Sequence, residues 1–468
     1  MDQNLDMMIF MRKLLFKDLI YKFCLILVSN IFLLPQYYIR YPGLIDDGYD
    51  FFVVRNSSFF SIIKDGLLFD SRTWPLRLAI KKIFYYVVGL DIRLHYFLYS
   101  FVLITLIYLV YRVLLKISVN ETVARISSFF ILLLPSVVEN FYRLGTAEHL
   151  QVVLLLLAFL FLNKNNYLSI LIVFLSCFFK ETSIFYLSFF PIYFLLFKKN
   201  SKTAMFSFIP MIIYSSILLY KLQYVVNEYT SQVGFDIENL IKVFMYIPYT
   251  FLFYFIVIGF AVFIYRKKIG ILSLSIVLIL PYLFWLMHSY YYHLPLQIFS
   301  FILGVKVFSY YLNERKKLLV PLIFFILFFN LSLQSSVPLL HYWHSKALQD
   351  SKLVEMILRN DWSDYHVYST LSGYENMIKI SDYFNLWNGI PPIYLYPNAS
   401  LVERESFSDY KSLNQISASA SALYQKDNNI KKIMVKEIGG VDSYREDLCV
   451  SSILIEKSCK YTYILNEF

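Results

Sequence analysis

Charge is what this chain lacks. Only 16% of its 468 residues are Asp, Glu, Lys or Arg, against 58% hydrophobic residues and a mean hydropathy of +0.56. Composition of that kind excludes a soluble globular domain and a solvated disordered chain. Cysteine is also sparse: Cys24 and Cys177 lie in apolar segments, where packing is their ordinary role, and only Cys449 and Cys459 sit near one another in polar sequence. A disulfide between that last pair is expected if the segment faces an oxidising compartment. Metal-ligand spacing is missing, as are a phosphate loop, a nucleophile elbow and any internal repeat. No cleavable leader is evident: the first apolar run is too long for one, so the first span is expected to stay as an anchor.

What is present is a series of long apolar runs separated by short polar ones, with 45 Phe and 41 Tyr supplying bulk and interfacial anchors. A membrane-crossing helix needs roughly 20 apolar residues. On that measure the chain reads as a polytopic membrane protein of about eleven transmembrane helices. The first span covers about 23–38, the second about 94–114, the third about 124–138, the seventh about 203–221 and the eleventh about 318–334. The net charge of +10 comes from basic clusters between spans, so it indicates orientation and not nucleic-acid binding. Lys and Arg before the first span place the amino terminus in the cytoplasm. Tight basic runs such as Lys198-Lys199, Arg266-Lys267-Lys268 and Arg315-Lys316-Lys317 then fall inside as well.

The outer side collects mixed polar motifs. A long first loop, 39–93, holds Asp46-Asp47-Gly48-Tyr49-Asp50 together with Arg72, Arg77, Lys81 and Lys82. Two of its segments, around 59–63 and 76–86, mix apolar and charged residues at helical spacing and suit amphipathic helices at the interface. The loop's many cations sit uneasily with an outer location, but length and interspersed acids lower its weight in the orientation rule. Further outer groups are Arg143 with Glu148 and His149, Lys180 with Glu181, acids between 228 and 238, and His288 with His293. Singly, each reads as a salt bridge, a structural histidine or solvated surface. Together they outline a polar chamber at the mouth of an apolar bundle, with a carboxylate to take a hydroxyl proton and cations to hold a departing phosphate.

From 335 to 468 the chain turns polar, about the size of a small domain. Alternation marks strands at 366–370, 392–396 and 432–436, and helical spacing marks 351–359 and 375–384. The fold class expected is therefore an all-α polytopic membrane module, 1–334, followed by a small α/β extracytoplasmic domain, 335–468.

The placement of these motifs resembles the GT-C superfamily of integral-membrane glycosyltransferases, which use polyprenyl-phosphate sugars. Asp46-Asp47 in the first outer loop, Glu148 within Arg143-Leu144-Gly145-Thr146-Ala147-Glu148, and Lys180-Glu181-Thr182 carry the likeness. Size, Phe/Tyr-rich composition and the outer tail are similar to bacterial serotype-converting O-antigen glucosyltransferases. The resemblance implies inverting transfer of a hexose, glucose by the narrower likeness, from a polyprenyl-phosphate donor to O-antigen or a related lipopolysaccharide acceptor, at the periplasmic face of the inner membrane. It implies Asp46 or Asp47 as general base, Asp46 being the first acid of the pair. Arg72, Arg77, Arg143, Glu148, His149, Lys180, Glu181, His288 and His293 would hold substrate or phosphate. Asp50 is expected to be solvated. No cofactor follows, although paired acids can also hold a divalent cation, whose identity the sequence leaves unknown. The partners implied are the lipid donor, the polysaccharide and the bilayer. An O-antigen polymerase or ligase, or a flippase for lipid-linked sugars, fits the same outline.

Overall fold

A computed structural model describes residues 2–41, 46–68, 75–224, 278–284, 290–313 and 319–344, isolated positions within 237–259 and 347–351, and five strands near the carboxyl end. Side chains are described from residue 18 onward and, in the helix that opens at Asp46, from residue 50. Apolar helices dominate: α1 (Asp2–Leu33), α5 (Ile92–Lys116), α6 (Glu121–Phe129), α7 (Pro135–Tyr142), α8 (Glu148–Phe161), α9 (Asn166–Cys177), α10 (Ser183–Ile192), α11 (Ser201–Tyr224), α12 (Leu294–Asn313) and α13 (Leu319–Leu331). The first loop folds into three more, α2 (Asp46–Asn56), α3 (Phe59–Leu68) and α4 (Pro75–Val88). The chain is thus a helical, multi-pass membrane protein that sits in a lipid bilayer. Among the described residues five helices are long and apolar enough to cross, and six if α6 and α7 count together across their 64° bend. Pro135, at the start of α7, supplies that bend because it cannot continue the preceding hydrogen-bond ladder. The expected eighth and ninth spans fall largely outside the described residues.

One end of the bundle is built from tight turns on a single plan. Ser118, Asn163 and Lys199 take left-handed backbone conformations, with φ of 63°, 71° and 49°. One or two residues later an asparagine opens the next helix: Asn120 accepts from Thr122 N, Asn165 from Leu168 N and Asn200 from Thr203 N. The left-handed residue stops one helix and the asparagine oxygen takes an orphan N–H of the next. Lys116 completes this end. Its ammonium donates to the carbonyls of Phe159, Leu160 and Leu162 at 2.5, 3.1 and 2.7 Å, capping α8 where the helix dipole is negative. Lys306 on α12 donates to Ser118 O at the same end, at 3.1 Å.

Helices α8 and α9 are short, with 14 and 12 residues, and α10 with its π-helical continuation Tyr193–Phe197 runs only from 183 to 197. At 1.5 Å per residue they reach only about 18–22 Å, well under the roughly 30 Å hydrocarbon thickness. Since α8 ends level with Lys116 on α5, its other end, at Glu148, stops well inside the 25-residue α5. The polar turns at 143–147 and 178–182 are therefore set down among the longer helices. Close packing tightens the bundle elsewhere: a Cβ built on Gly304 of α12 would fall 2.1 Å from the Phe324 ring of α13.

Near the carboxyl end, β1 (His366–Ser369), β2 (Ile393–Leu395), β3 (Ala422–Gln425), β4 (Ile433–Ile438) and β5 (Thr462–Glu467) form one mixed sheet in the order β2-β1-β3-β4-β5. The β1–β2 pair is parallel and the others antiparallel. β1, β2 and β4 coincide with stretches that alternation marks as strands. Cys449, Cys459 and the helical spacing at 375–384 lie outside the described residues.

Lys116→Met removes three charge-assisted bonds from the end of α8. It is expected to lower stability by about 2 kcal/mol, the scale of hydrogen bonds to a charged group, whereas Lys164→Met, exposed in the next turn, should change little. Thermal unfolding of the detergent-solubilised variants reads the difference.

Candidate functional site

Opposite the tight turns, the segment Arg143–Ala147 between α7 and α8 runs through the bundle without regular structure. Its carbonyls are taken by side chains. Tyr96 and Tyr99 of α5 donate to Tyr142 O and Leu144 O at 3.2 and 3.1 Å, Arg77 of α4 donates to Gly145 O, and the Thr146 hydroxyl donates back to Asn140 O at 3.0 Å. In an apolar bundle an unpaired carbonyl is costly, so this segment needs its tyrosines and its arginine to stay where it is. Depth follows from the contacts: His149 packs 5.0 Å from the Tyr99 ring, which lies seven residues, roughly 10 Å, in from the Ile92 end of α5.

Three ion-paired groups surround the segment. In the first, Asp50 of α2 receives Arg77 at 2.6 Å and Lys81 on its other oxygen, and all three are buried. The expectation that Asp50 is solvated is wrong. Arg77 and Lys81 stand one helical turn apart on α4, and a single carboxylate bridges both, drawing the first loop onto the bundle. Lys82 adds a bond to Val54 O at 2.5 Å, and Phe51 packs edge-on to His95 at 4.8 Å.

In the second group, Lys180 in the turn after α9 pairs with Glu148 at the start of α8, at 2.8 Å and 2% side-chain exposure for each. Lys180 also lies over the Tyr292 ring at 4.7 Å. The pair borders a small cleft of about 10 Å³, the room of about one water, lined by Thr182, Tyr186, Tyr282 and Tyr292. Beside it Gln151 donates to Thr182 and Ser183 hydroxyls at 3.0 and 2.8 Å. The third group is Glu139 with Arg143, one turn apart on α7 at 3.0 Å. Glu139's other oxygen accepts from Tyr291 N at 2.8 Å, and the guanidinium is stacked between Tyr291 and Trp343, at 4.9 and 4.4 Å from the ring centroids.

Of the residues singled out from sequence, Arg77, Arg143, Glu148, His149 and Lys180 come together here. Glu181 is buried in the same turn as Lys180. His293 is buried and stacks on the Tyr282 ring at 4.9 Å, near the Glu148 cleft. Asp46 and Asp47 open α2, with Asp46 one turn before Asp50, but their side chains lie outside the described residues. Arg72 and His288 lie outside them altogether. Sequence reading placed Asp50 and Lys81 in the first loop without partners and gave Glu139 and the carbonyl-binding tyrosines no role. The i, i+4 spacing of Arg77 with Lys81 and of Glu139 with Arg143 was the available signal. Among the described residues no group of three His, Cys, Asp or Glu side chains converges to hold a metal. His149 Nε2, Asn140 Oδ1 and Gln151 Oε1 are buried without a hydrogen-bond partner among the described residues, a pattern that suits bound water or substrate.

No family model matches the chain, and neither a characterised protein nor a solved structure matches it.

Asp50→Ala strands two buried cations. It is expected to cost about 3–5 kcal/mol, the range for breaking a buried pair from one side, and part of that loss should disappear in Asp50→Ala/Lys81→Met. A double-mutant cycle on thermal unfolding measures the coupling.

Proposed function

We propose that this protein is an inverting glycosyltransferase that moves a hexose from a polyprenyl-phosphate donor to a surface polysaccharide. The observation that carries this reading is the recessed polar site: first loop, 143–149 segment and 178–182 turn bring acids and cations together inside an apolar bundle. A lipid-linked substrate needs such a place, where a charged head group meets polar residues while its tail stays in hydrocarbon. The resemblance of Asp46-Asp47, Glu148 and Lys180-Glu181 to GT-C motifs supports the same assignment.

In this mechanism the acceptor hydroxyl attacks the anomeric carbon as Asp46 or Asp47 takes its proton. The bond from that carbon to the phosphate oxygen breaks, and polyprenyl phosphate leaves with the electron pair. Cations beside the site offset the charge that develops on the phosphate. Attack from the opposite face inverts the anomeric centre, so a β-linked donor gives an α-linked product. Asp50, already neutralised by Arg77 and Lys81, serves as the anchor of α2 and so sets where Asp46, one turn earlier, begins the helix. The wider setting proposed with this activity is a bacterial inner-membrane protein of about eleven spans, its basic end cytoplasmic, and residues 335–468 a periplasmic α/β domain. Glucose and an O-antigen acceptor are the narrowest version.

A second reading has its own observation. Buried ionisable pairs within a membrane bundle, such as Glu148 with Lys180, also mark transport paths. A flippase would move the lipid-linked sugar without forming a product.

Membranes carrying Asp46→Asn and Asp47→Asn chains that insert normally are expected to lose sugar transfer from a synthetic polyprenyl-phosphate glucose by at least about 100-fold, the scale of a lost general base. Mass spectrometry of the acceptor polysaccharide reads the product. Full transfer by both variants contradicts the base assignment, and translocation without transfer favours the flippase.

A further inference from the structure

The inward face of the first span ends on a polar residue. Tyr21, Leu25, Ser29, Leu33 and Gln36 recur at three- and four-residue steps and are at most 4% exposed. Gln36 closes the series in the 3-10 turn Leu34–Tyr38, which finishes the span and packs on α5. Its backbone is paired, the carbonyl accepting from Ile39 N at 3.1 Å. Its side chain is not: at 0% exposure, neither Oε1 nor Nε2 has a hydrogen-bond partner among the described residues. Among those residues no other carboxamide is orphaned at both ends.

A carboxamide sealed from water with both ends unpaired is costly, and an apolar side chain of the same length avoids the cost. Packing therefore gives no reason for glutamine at this position. Its surroundings give one. A turn before Gln36, Phe32 O accepts from the Tyr142 hydroxyl at 2.8 Å, and the two rings meet edge-on at 5.5 Å. Tyr142 leads into the irregular segment 143–147, and Tyr96 of α5 holds its carbonyl. Gln36 thus lies one turn from the contact that joins the first span to the recessed polar site.

Ligand chemistry follows from the group. A phosphate or carboxylate only accepts and would satisfy Nε2 alone, and a cation only donates and would satisfy Oε1 alone. Hydroxyls do both, and a pyranose carries neighbouring ones. Because protein closes Gln36 off from bulk water, a hydroxyl that reaches it belongs to a substrate entering the bundle from the membrane, with displacement of the side chains that cover the turn.

We infer that Gln36 is a sugar-recognition residue: its carboxamide donates to one hydroxyl and accepts from another on the hexose of a lipid-linked sugar. The two bonds favour the sugar-bearing lipid over the same lipid phosphate without sugar. The inference rests on the lipid-linked substrate that the transferase and flippase readings share.

Full-length Gln36→Met and Ser29→Ala chains in lipid nanodiscs test it. Ser29, two turns deeper, is a buried orphan on the same face and controls for packing of the span. Affinity for a short-chain polyprenyl-phosphate glucose and for the sugar-free polyprenyl phosphate is read by native mass spectrometry, and stability by thermal unfolding. Gln36→Met is expected to bind the sugar lipid at least about 10-fold more weakly, the scale of a hydrogen bond or two. It should bind the sugar-free lipid as the unaltered chain does and melt no lower, while Ser29→Ala keeps both affinities. Undiminished affinity of Gln36→Met for the sugar lipid overturns the inference, as does equal weakening toward both lipids or the same loss in Ser29→Ala. A melting temperature several degrees lower shows the amide bonded within the protein and overturns it too. If the unaltered chain binds neither lipid, the lipid-linked substrate itself is wrong and the inference falls with it.

Discussion

The structure turns on one constraint: a stretch of non-helical backbone lies inside an apolar bundle, where no water waits to accept its hydrogen bonds. Tyr142 to Gly145 present four consecutive carbonyls, and side chains from α4 and α5 bind three of them, those of Tyr142, Leu144 and Gly145. Membranes tolerate irregular backbone only where it is buried in protein or lines a polar cavity. This segment meets the first condition through Tyr96, Tyr99 and Arg77, and it sets up the second, because Arg143, Glu148 and His149 project from it toward three different neighbours. The short α8, α9 and α10 make the arrangement necessary. Helices of full length would have carried these residues out to the head groups.

Charge is handled with the same economy of partners. Asp50, Glu139 and Glu148 are each buried against a cation from another turn or another helix. Such pairs contribute little net stability, since desolvation offsets attraction, but they penalise any arrangement that separates them. Two of them therefore specify register, α2 on α4 and α8 on the turn after α9, while Glu139, whose ion pair is local, ties α7 to the turn before α12 through Tyr291 N. Arg77 does this twice, holding Asp50 with one nitrogen and Gly145 O with another. The first loop, the 143–147 segment and the bundle are thereby joined through a single guanidinium, and a substrate entering the site would have to fit or loosen that joint.

Much of this outline was legible in the sequence. Apolar run length gave the helical membrane class, and the sorting of basic turns from mixed acidic motifs matches the two ends of the bundle, with Lys116, Lys164 and Lys199 at one and Asp50, Glu148 and Lys180 at the other. The segment 143–149 and the turn 180–182 stood out because ionisable residues beside membrane spans are rare. Partners were not legible. Lys180 adjoins Glu181 in sequence yet pairs with Glu148, because the turn after α9 comes to rest beside the start of α8. Asp50 looked like a solvated neighbour of Asp46 and Asp47, since a three-acid run in a loop carries no sign of which acid will meet Arg77 and Lys81. The tyrosines that bind carbonyls were invisible among 41 of their kind.

The central claim is that residues 142–147 are a buried, side-chain-pinned segment held by Arg77. Hydrogen–deuterium exchange in lipid nanodiscs tests it most directly. The account predicts that peptides covering 142–149 exchange far more slowly than those covering the turn 162–165. It also predicts that Arg77→Met accelerates exchange in the first set while Arg93→Met, paired with Asp91 at the surface, does not. Rapid exchange of 142–149 in the unaltered protein, or indifference to the loss of Arg77, would contradict it.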